Sequence, residues 1–133
     1  MHRILLVLAL VAISSLLVAC DSAEESLPSP NSGIRGLVLL GPQCPVFREN
    51  SPCPDEPLQA TIDVFTADRS RKVASVTSAD DGRFSLALAP GDYYLDPLPP
   101  DPGSVLPVGS PATATVTSGN WTEITISYDT GIR

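Results

Sequence analysis

Short runs in which apolar and polar residues alternate occupy most of this sequence between positions 34 and 128. In one of them Ala60, Ile62 and Val64 fall on one face, and the two residues between them are polar. A period of two residues is typical of strands with one buried face, and no ten-residue segment here follows the helical period. The pattern predicts an all-β fold.

Turn sequences separate the alternating runs, notably Asp80-Asp81-Gly82 and Pro90-Gly91-Asp92. Glycine at such positions allows a positive φ, which tight turns require. Seven short strands with polar outer faces predict a seven-stranded antiparallel β-sandwich, in which the last two strands form a hairpin. The predicted strands are 34–39, 60–65, 72–77, 83–88, 93–95, 112–117 and 122–128.

The alternation also predicts the side chains that fill the space between the sheets. Tyr94, which lies between two of them in sequence, is expected to face outward. The predicted core comprises Ala60, Ile62, Val64, Phe84, Leu86, Leu88, Tyr93, Leu95, Val116, Ile124, Ile126 and Tyr128.

The N-terminal segment has the composition of an export signal. Arg3 precedes an apolar run, Ile4 to Ala19, that is short for a membrane span. Its end, Leu17-Val18-Ala19-Cys20, resembles the lipobox of bacterial lipoproteins. The resemblance implies that residues 1–19 are a signal peptide and that Cys20 becomes the acylated first residue, carrying chains such as palmitate. An ordinary secretory signal or an uncleaved anchor is the alternative.

Residues 20–32 are predicted to be a lipidated polar tether, and residues 33–133 a single domain. At about 3.1 Å per residue, an extended tether reaches about 35 Å from the membrane. The lipid on Cys20 is then the membrane attachment, and the domain faces outside the cytoplasm. Asp21 resembles the inner-membrane retention signal of enterobacterial-type diderms, so in such a host the inner membrane is expected.

The charge and the residue inventory argue against several functions. The net charge of -7 disfavours nucleic acid, which requires clustered Lys and Arg. The single histidine, His2, lies in the signal peptide, so the mature chain has no Ser-His-Asp arrangement. We therefore expect no catalytic residues, no metal and no cofactor.

Cys44 and Cys53 remain as a pair once Cys20 is assigned to lipid. In an oxidising compartment such a pair is expected to form a disulfide. A redox pair or a zinc site is the alternative, although two thiols without a histidine give too few ligands for zinc.

Four segments together resemble the carboxypeptidase regulatory-like domain, a transthyretin-like or prealbumin-like sandwich related to Ig-like folds. They are Gly36-Leu37-Val38, residues 60–64, residues 80–84 and residues 88–93. The resemblance implies a non-catalytic accessory domain and no particular substrate. The segments Gly41 to Pro57 and Asp96 to Pro111 depart from the family pattern, and specific function is expected there.

Two function classes follow. The first is a structural or protein-interaction module of the cell envelope, for which Phe47 and Arg48 in the first divergent segment are candidate contacts. The second is a carbohydrate- or peptide-binding module, for which Tyr94 and Trp121 are candidate stacking surfaces. Trp121 is alternatively a packing cap at the end of the sandwich. The partner, an envelope protein or a glycan, is not specified.

Two other sites have weaker support. The turn Asp80-Asp81-Gly82, with Asp63 or Asp92, supplies oxygens for calcium but lacks a spaced ladder of carboxylates. Related surface-adhesin sandwiches form an isopeptide bond between a lysine in the first strand and an asparagine in the last. Lys72 and Asn120 occupy other positions, so this bond is not expected.

Overall fold

The computed structural model describes residues 31–46 and 49–133, which form two packed β-sheets without a helix. In this part of the chain, accordingly, no helix is long and apolar enough to cross a bilayer. The seven predicted strands are present, and two additional strands are only two residues long. The strands are β1 (Gly33–Gly41), β2 (Glu56–Pro57), β3 (Thr61–Thr66), β4 (Lys72–Thr77), β5 (Arg83–Ala87), β6 (Gly91–Pro97), β7 (Val108–Gly109), β8 (Ala112–Val116) and β9 (Trp121–Asp129).

The strands are arranged in two sheets. The first has the order β2-β1-β9-β7, with β5 also pairing with β1, and the second has the order β4-β3-β6-β8. The side chains that face inward from both sheets form one apolar core. The all-β sandwich predicted from the alternation is confirmed.

One strand pair departs from the antiparallel arrangement predicted. β1 and β9 run parallel along their whole length, from the pair Gly33 and Trp121 to the pair Gly41 and Asp129. A parallel pair requires a long connection between its strands, and here most of the domain lies between them. Local sequence patterns contain no information about such a pairing.

The predicted hairpin of 112–117 and 122–128 is wrong. β8 pairs with β6 in the second sheet, whereas β9 lies in the first sheet beside β1. The connection therefore crosses from one sheet to the other. It is fixed by the Asn120 N–H donating to the Thr117 carbonyl (3.2 Å) and by the Thr122 hydroxyl donating to the Thr115 carbonyl (2.6 Å).

The predicted core is confirmed, with Leu86 and Ile124 only partly buried at its margin. Tyr93 and Tyr128 place their hydroxyls where backbone carbonyls accept hydrogen bonds, those of Ala89 and Leu98, both at 2.7 Å. Burial raises the pKa of Tyr128 to about 12. The buried residues are Ile34, Val38, Ala60, Ile62, Val64, Phe84, Leu88, Tyr93, Leu95, Ala114, Val116, Ile126 and Tyr128.

Two glycines are required by close backbone contacts. A Cβ on Gly36 would collide with the Ile124 carbonyl oxygen in the neighbouring strand. Gly82 has a φ of 76°, as the turn prediction required, and a Cβ there would lie 2.5 Å from the Val38 carbonyl oxygen.

The chain enters the sandwich at one end, which we call the tether end. Ser32, which the sequence assigned to the tether, is fully buried there and donates a hydrogen bond to the Leu88 carbonyl (3.0 Å). β1 and β9 both run from this end to the opposite one, which we call the distal end. With about 3.3 Å per residue, β1 separates the two ends by roughly 26 Å.

Candidate functional site

Both divergent segments lie at the distal end. The first loop, 42–55, leaves β1 at Gly41 and returns through β2, which pairs with the last residues of β1. The second, 98–107, connects β6 to β7, and β7 pairs with Tyr128 and Asp129 at the end of β9. Asp96 and Pro97, predicted to belong to this segment, are part of β6. We call 42–55 and 98–107 the distal loops.

Several contacts fasten the distal loops to the sandwich. Cys44 and Cys53 form the predicted disulfide, with the Cα atoms 6.1 Å apart. The Thr130 hydroxyl donates to the Pro42 carbonyl (2.6 Å), which links the first loop to the C-terminal segment. Gly131 of that segment packs against the Leu106 side chain of the second loop. The bases of the two loops are therefore neighbours.

Exposed apolar side chains are concentrated in this region. Among the described residues five large apolar side chains are exposed, and Val46, Val105, Leu106 and Val108 lie in the distal loops or in adjacent β7. Val105 is 84% exposed. We call these four side chains the distal surface. The fifth, Val73, lies in β4 and is 37% exposed.

Carboxylates also occur in the distal loops and in β2. Glu49, Asp55, Glu56 and Asp101 are all exposed. No salt bridge joins any of the four to another residue in 31–46 or 49–133. Asp129, at the end of β9, differs because Arg133 (2.7 Å) and the Gly131 N–H lower its pKa to about 2.

Phe47 and Arg48, predicted as contacts in the first loop, lie outside the described residues. Sequence reasoning identified the two segments but missed Val105, Leu106 and Val108. The signal available was three large aliphatic residues within four positions of a proline-rich stretch that shows no strand-length alternation.

The two predicted stacking residues do not form a common platform. Tyr94 lies on the second sheet and Trp121 at the start of β9 in the first, and both are half-buried. The guanidinium carbon of Arg69 lies 4.9 Å from the Tyr94 ring centroid, so one face of that ring already has a cation over it.

The turn between β3 and β4 holds Arg69 in that position. Arg69 has a φ of 60°, and its N–H donates to the Thr66 carbonyl (2.8 Å). The Asp68 carboxylate accepts hydrogen bonds from the Thr66 hydroxyl and from the N–H and hydroxyl of Ser70. These bonds lower the pKa of Asp68 to about 2. The turn is therefore a locally satisfied structure.

An open groove of about 1000 Å³ lies beside β4, β5 and the first sheet. Its charged groups are partnered, since Arg35 Nε lies 2.5 Å from Glu123 Oε1 and Arg83 Nε 3.6 Å from Asp81 Oδ2. The Ser78 hydroxyl in its wall is buried and donates to the Leu58 carbonyl (2.8 Å). The Ser78 hydroxyl and the charged groups of the groove are thus engaged in contacts within the fold.

The described residues do not form the arrangement that a calcium site or an isopeptide bond requires. There, no three His, Cys, Asp or Glu side chains come close enough to hold a metal ion. Asp63 instead accepts hydrogen bonds from Ser75 (2.7 Å) and pairs with Lys72 (2.8 Å). Burial alone would raise the pKa of Asp63, but these two partners lower it below its ordinary value. Lys72 is thus engaged in the second sheet, while Asn120 lies before β9 in the first.

No protein-family model and no curated protein matches this chain by sequence. Several solved structures are similar in fold, including the following two. The Bacillus anthracis TIE protein has a TM-score of 0.51 and 21% identity, over 74% of this chain and 16% of that one. GBS52, the minor pilin in the Gram-positive pathogen Streptococcus agalactiae, has a TM-score of 0.51 and 12% identity, over 74% of this chain and 44% of that one. This chain corresponds to less than half of either protein, and the likeness is one of fold.

Proposed function

We propose that this chain is a non-catalytic lipoprotein of the bacterial cell envelope whose β-sandwich presents a protein-interaction surface at its distal end. The observation that carries the proposal is the concentration of exposed apolar side chains there, four of the five found in the described residues. Exposed apolar side chains with a polar rim are typical of interaction sites. The likeness in fold to a minor pilin is consistent with a structural module.

The proposed lipid on Cys20 gives the distal surface its orientation. The tether joins the sandwich at Ser32, and the distal loops lie at the other end of β1. Two or three acyl chains hold a protein durably on a membrane, so the sandwich itself needs no membrane contact. The distal surface then faces away from the membrane that holds the lipid, where an envelope partner can reach it.

Lipid anchoring predicts the behaviour of the Cys20→Ala protein. Without the thiol the acyl chains have no attachment site, so the variant should be unprocessed or released from the membrane. Detergent-phase partitioning and the mass of the N-terminal peptide measure both properties. A Cys20→Ala protein that is still processed and still partitions into the detergent phase refutes the anchor.

The interaction surface is tested by substituting exposed valines. Val46→Ser/Val105→Ser should leave the melting temperature nearly unchanged, because both side chains are exposed, and should weaken recovery of cross-linked envelope partners. Val73→Ser, which changes an exposed valine in β4, is the control for the sheets and should leave recovery unchanged. If recovery is lost with Val73→Ser and kept with the double variant, the distal surface is not the contact site.

The carbohydrate-binding alternative has less support. A sugar platform requires accessible aromatic faces, and here Arg69 covers one face of Tyr94 while Trp121 lies on the other sheet.

A further inference from the structure

We infer that the distal surface binds a protein segment in which apolar side chains are flanked by lysine or arginine. The inference rests on the proposed function, because it names the partner class for the same surface.

The loops that carry the distal surface are acidic. The distal loops, 42–55 and 98–107, contain three acidic residues and only one basic residue, Arg48, a net charge of -2. Glu56 in adjacent β2 adds another exposed carboxylate. Asp63 in the second sheet is paired with Lys72, and Asp129 at the distal end is paired with Arg133. Glu49 and Asp101 have no ion pair with another described residue, so a cation supplied from outside meets unneutralised carboxylates.

The same charge disfavours the other occupants. A membrane surface rich in anionic lipid would be repelled by these carboxylates. A second copy docking by the same surface would bring two sets of acidic loops together, since a two-fold interface uses the same patch on both subunits. A basic segment is attracted by the carboxylates that repel an anionic membrane or a second copy of this chain.

Covalent restraints in the loops favour binding of a short segment. The apolar part consists of four aliphatic side chains, Val46, Val105, Leu106 and Val108. The loops contain several prolines, and the first is closed by the disulfide between Cys44 and Cys53. Such restraints reduce the conformational entropy that is lost on binding.

The test uses the full-length protein in nanodiscs of zwitterionic lipid and a labelled synthetic peptide with a leucine-rich centre flanked by lysines. Fluorescence anisotropy should show saturable binding that weakens as salt is raised. Exchanging the flanking lysines for glutamates, or the leucines for serines, should each weaken binding by about tenfold or more, which is the effect of 1.4 kcal/mol.

Matched variants locate the binding site. Val46→Ser/Val105→Ser should weaken binding of the lysine-flanked peptide by about tenfold. Glu49→Gln/Asp101→Asn should reduce both the affinity for this peptide and its dependence on salt. Asp92→Asn/Glu123→Gln removes the same number of charges away from the distal loops and should leave both unchanged.

The inference is overturned if the lysine-flanked and the glutamate-flanked peptides bind with equal affinity. It is also overturned if anionic vesicles bind the distal surface, or if the protein forms a dimer that Val105→Ser dissociates. Should these results occur while Val46→Ser/Val105→Ser still reduces recovery of envelope partners, the partner class is wrong and the proposed function stands. If Val46→Ser/Val105→Ser changes neither peptide affinity nor recovery of envelope partners, both the inferred partner class and the proposed function are wrong.

Discussion

Phe84 packs beside a glycine of the neighbouring strand. It lies in β5 opposite Gly36 of β1, is 6% exposed, and its ring fills the space that the glycine leaves beside it. A Cβ on Gly36 would lie 3.2 Å from the Phe84 Cζ atom. The aromatic ring and the missing side chain are therefore complementary, an arrangement known to support glycines in sheets.

Replacement of Phe84 by alanine should cost roughly 3 to 5 kcal/mol of unfolding free energy, through lost burial and an unfilled cavity. Urea unfolding followed by tryptophan fluorescence measures the change. Phe65→Ala provides a control, because Phe65 is half-buried outside the core cluster and should cost less than about 2 kcal/mol. Equal losses for the two variants would show that Phe84 is not a core residue.

The alternating pattern predicted which strand residues are buried, but it did not predict which loop residues are exposed. Tyr93 and Leu95 are buried as expected, because a strand places every second side chain on the same face. Val105 and Leu106 follow no such period, and aliphatic residues in a loop are equally compatible with packing beneath it. Their exposure depends on the path of the loop, which the sequence pattern does not specify.

The seven longer strands were predictable from the sequence, whereas the short strands β2 and β7 and the pairing of β8 and β9 were not. β8 and β9 have the same alternation whether they form a hairpin or cross between sheets, and the four residues between them fit both. The parallel pairing of β1 with β9 joins residues 88 positions apart. Such contacts are selected by the packing of the whole core, since local turn chemistry acts only over a few residues.

Reduction of the disulfide should destabilise the first distal loop and the domain with it. For a closed loop of about ten residues, the chain-entropy model gives about 2.7 kcal/mol, which corresponds to a fall of several degrees in melting temperature. Calorimetry with and without reductant measures this. Non-reducing peptide mapping should recover Cys44 and Cys53 linked, whereas two alkylatable thiols in native protein from the envelope would refute the structural role.

For the molecule as a whole, the sandwich separates two ends with different properties. The tether end fastens the incoming chain through the buried Ser32. The distal end carries exposed apolar side chains and, within 31–46 and 49–133, four exposed carboxylates without a salt bridge. The strands between them provide a rigid spacer of roughly 26 Å. In the proposed function the sheets provide support and the distal loops provide recognition.

Site-specific photocrosslinking in intact cells tests that assignment most directly. A photoreactive amino acid is placed at Val105 in the second distal loop, and in separate proteins at Val73 in β4 and at Thr125 on the outer face of the first sheet. The account predicts a crosslinked partner protein at Val105 and none at the two sheet positions. Crosslinks at Val73 or Thr125 with none at Val105 would place recognition on the sheets and contradict it.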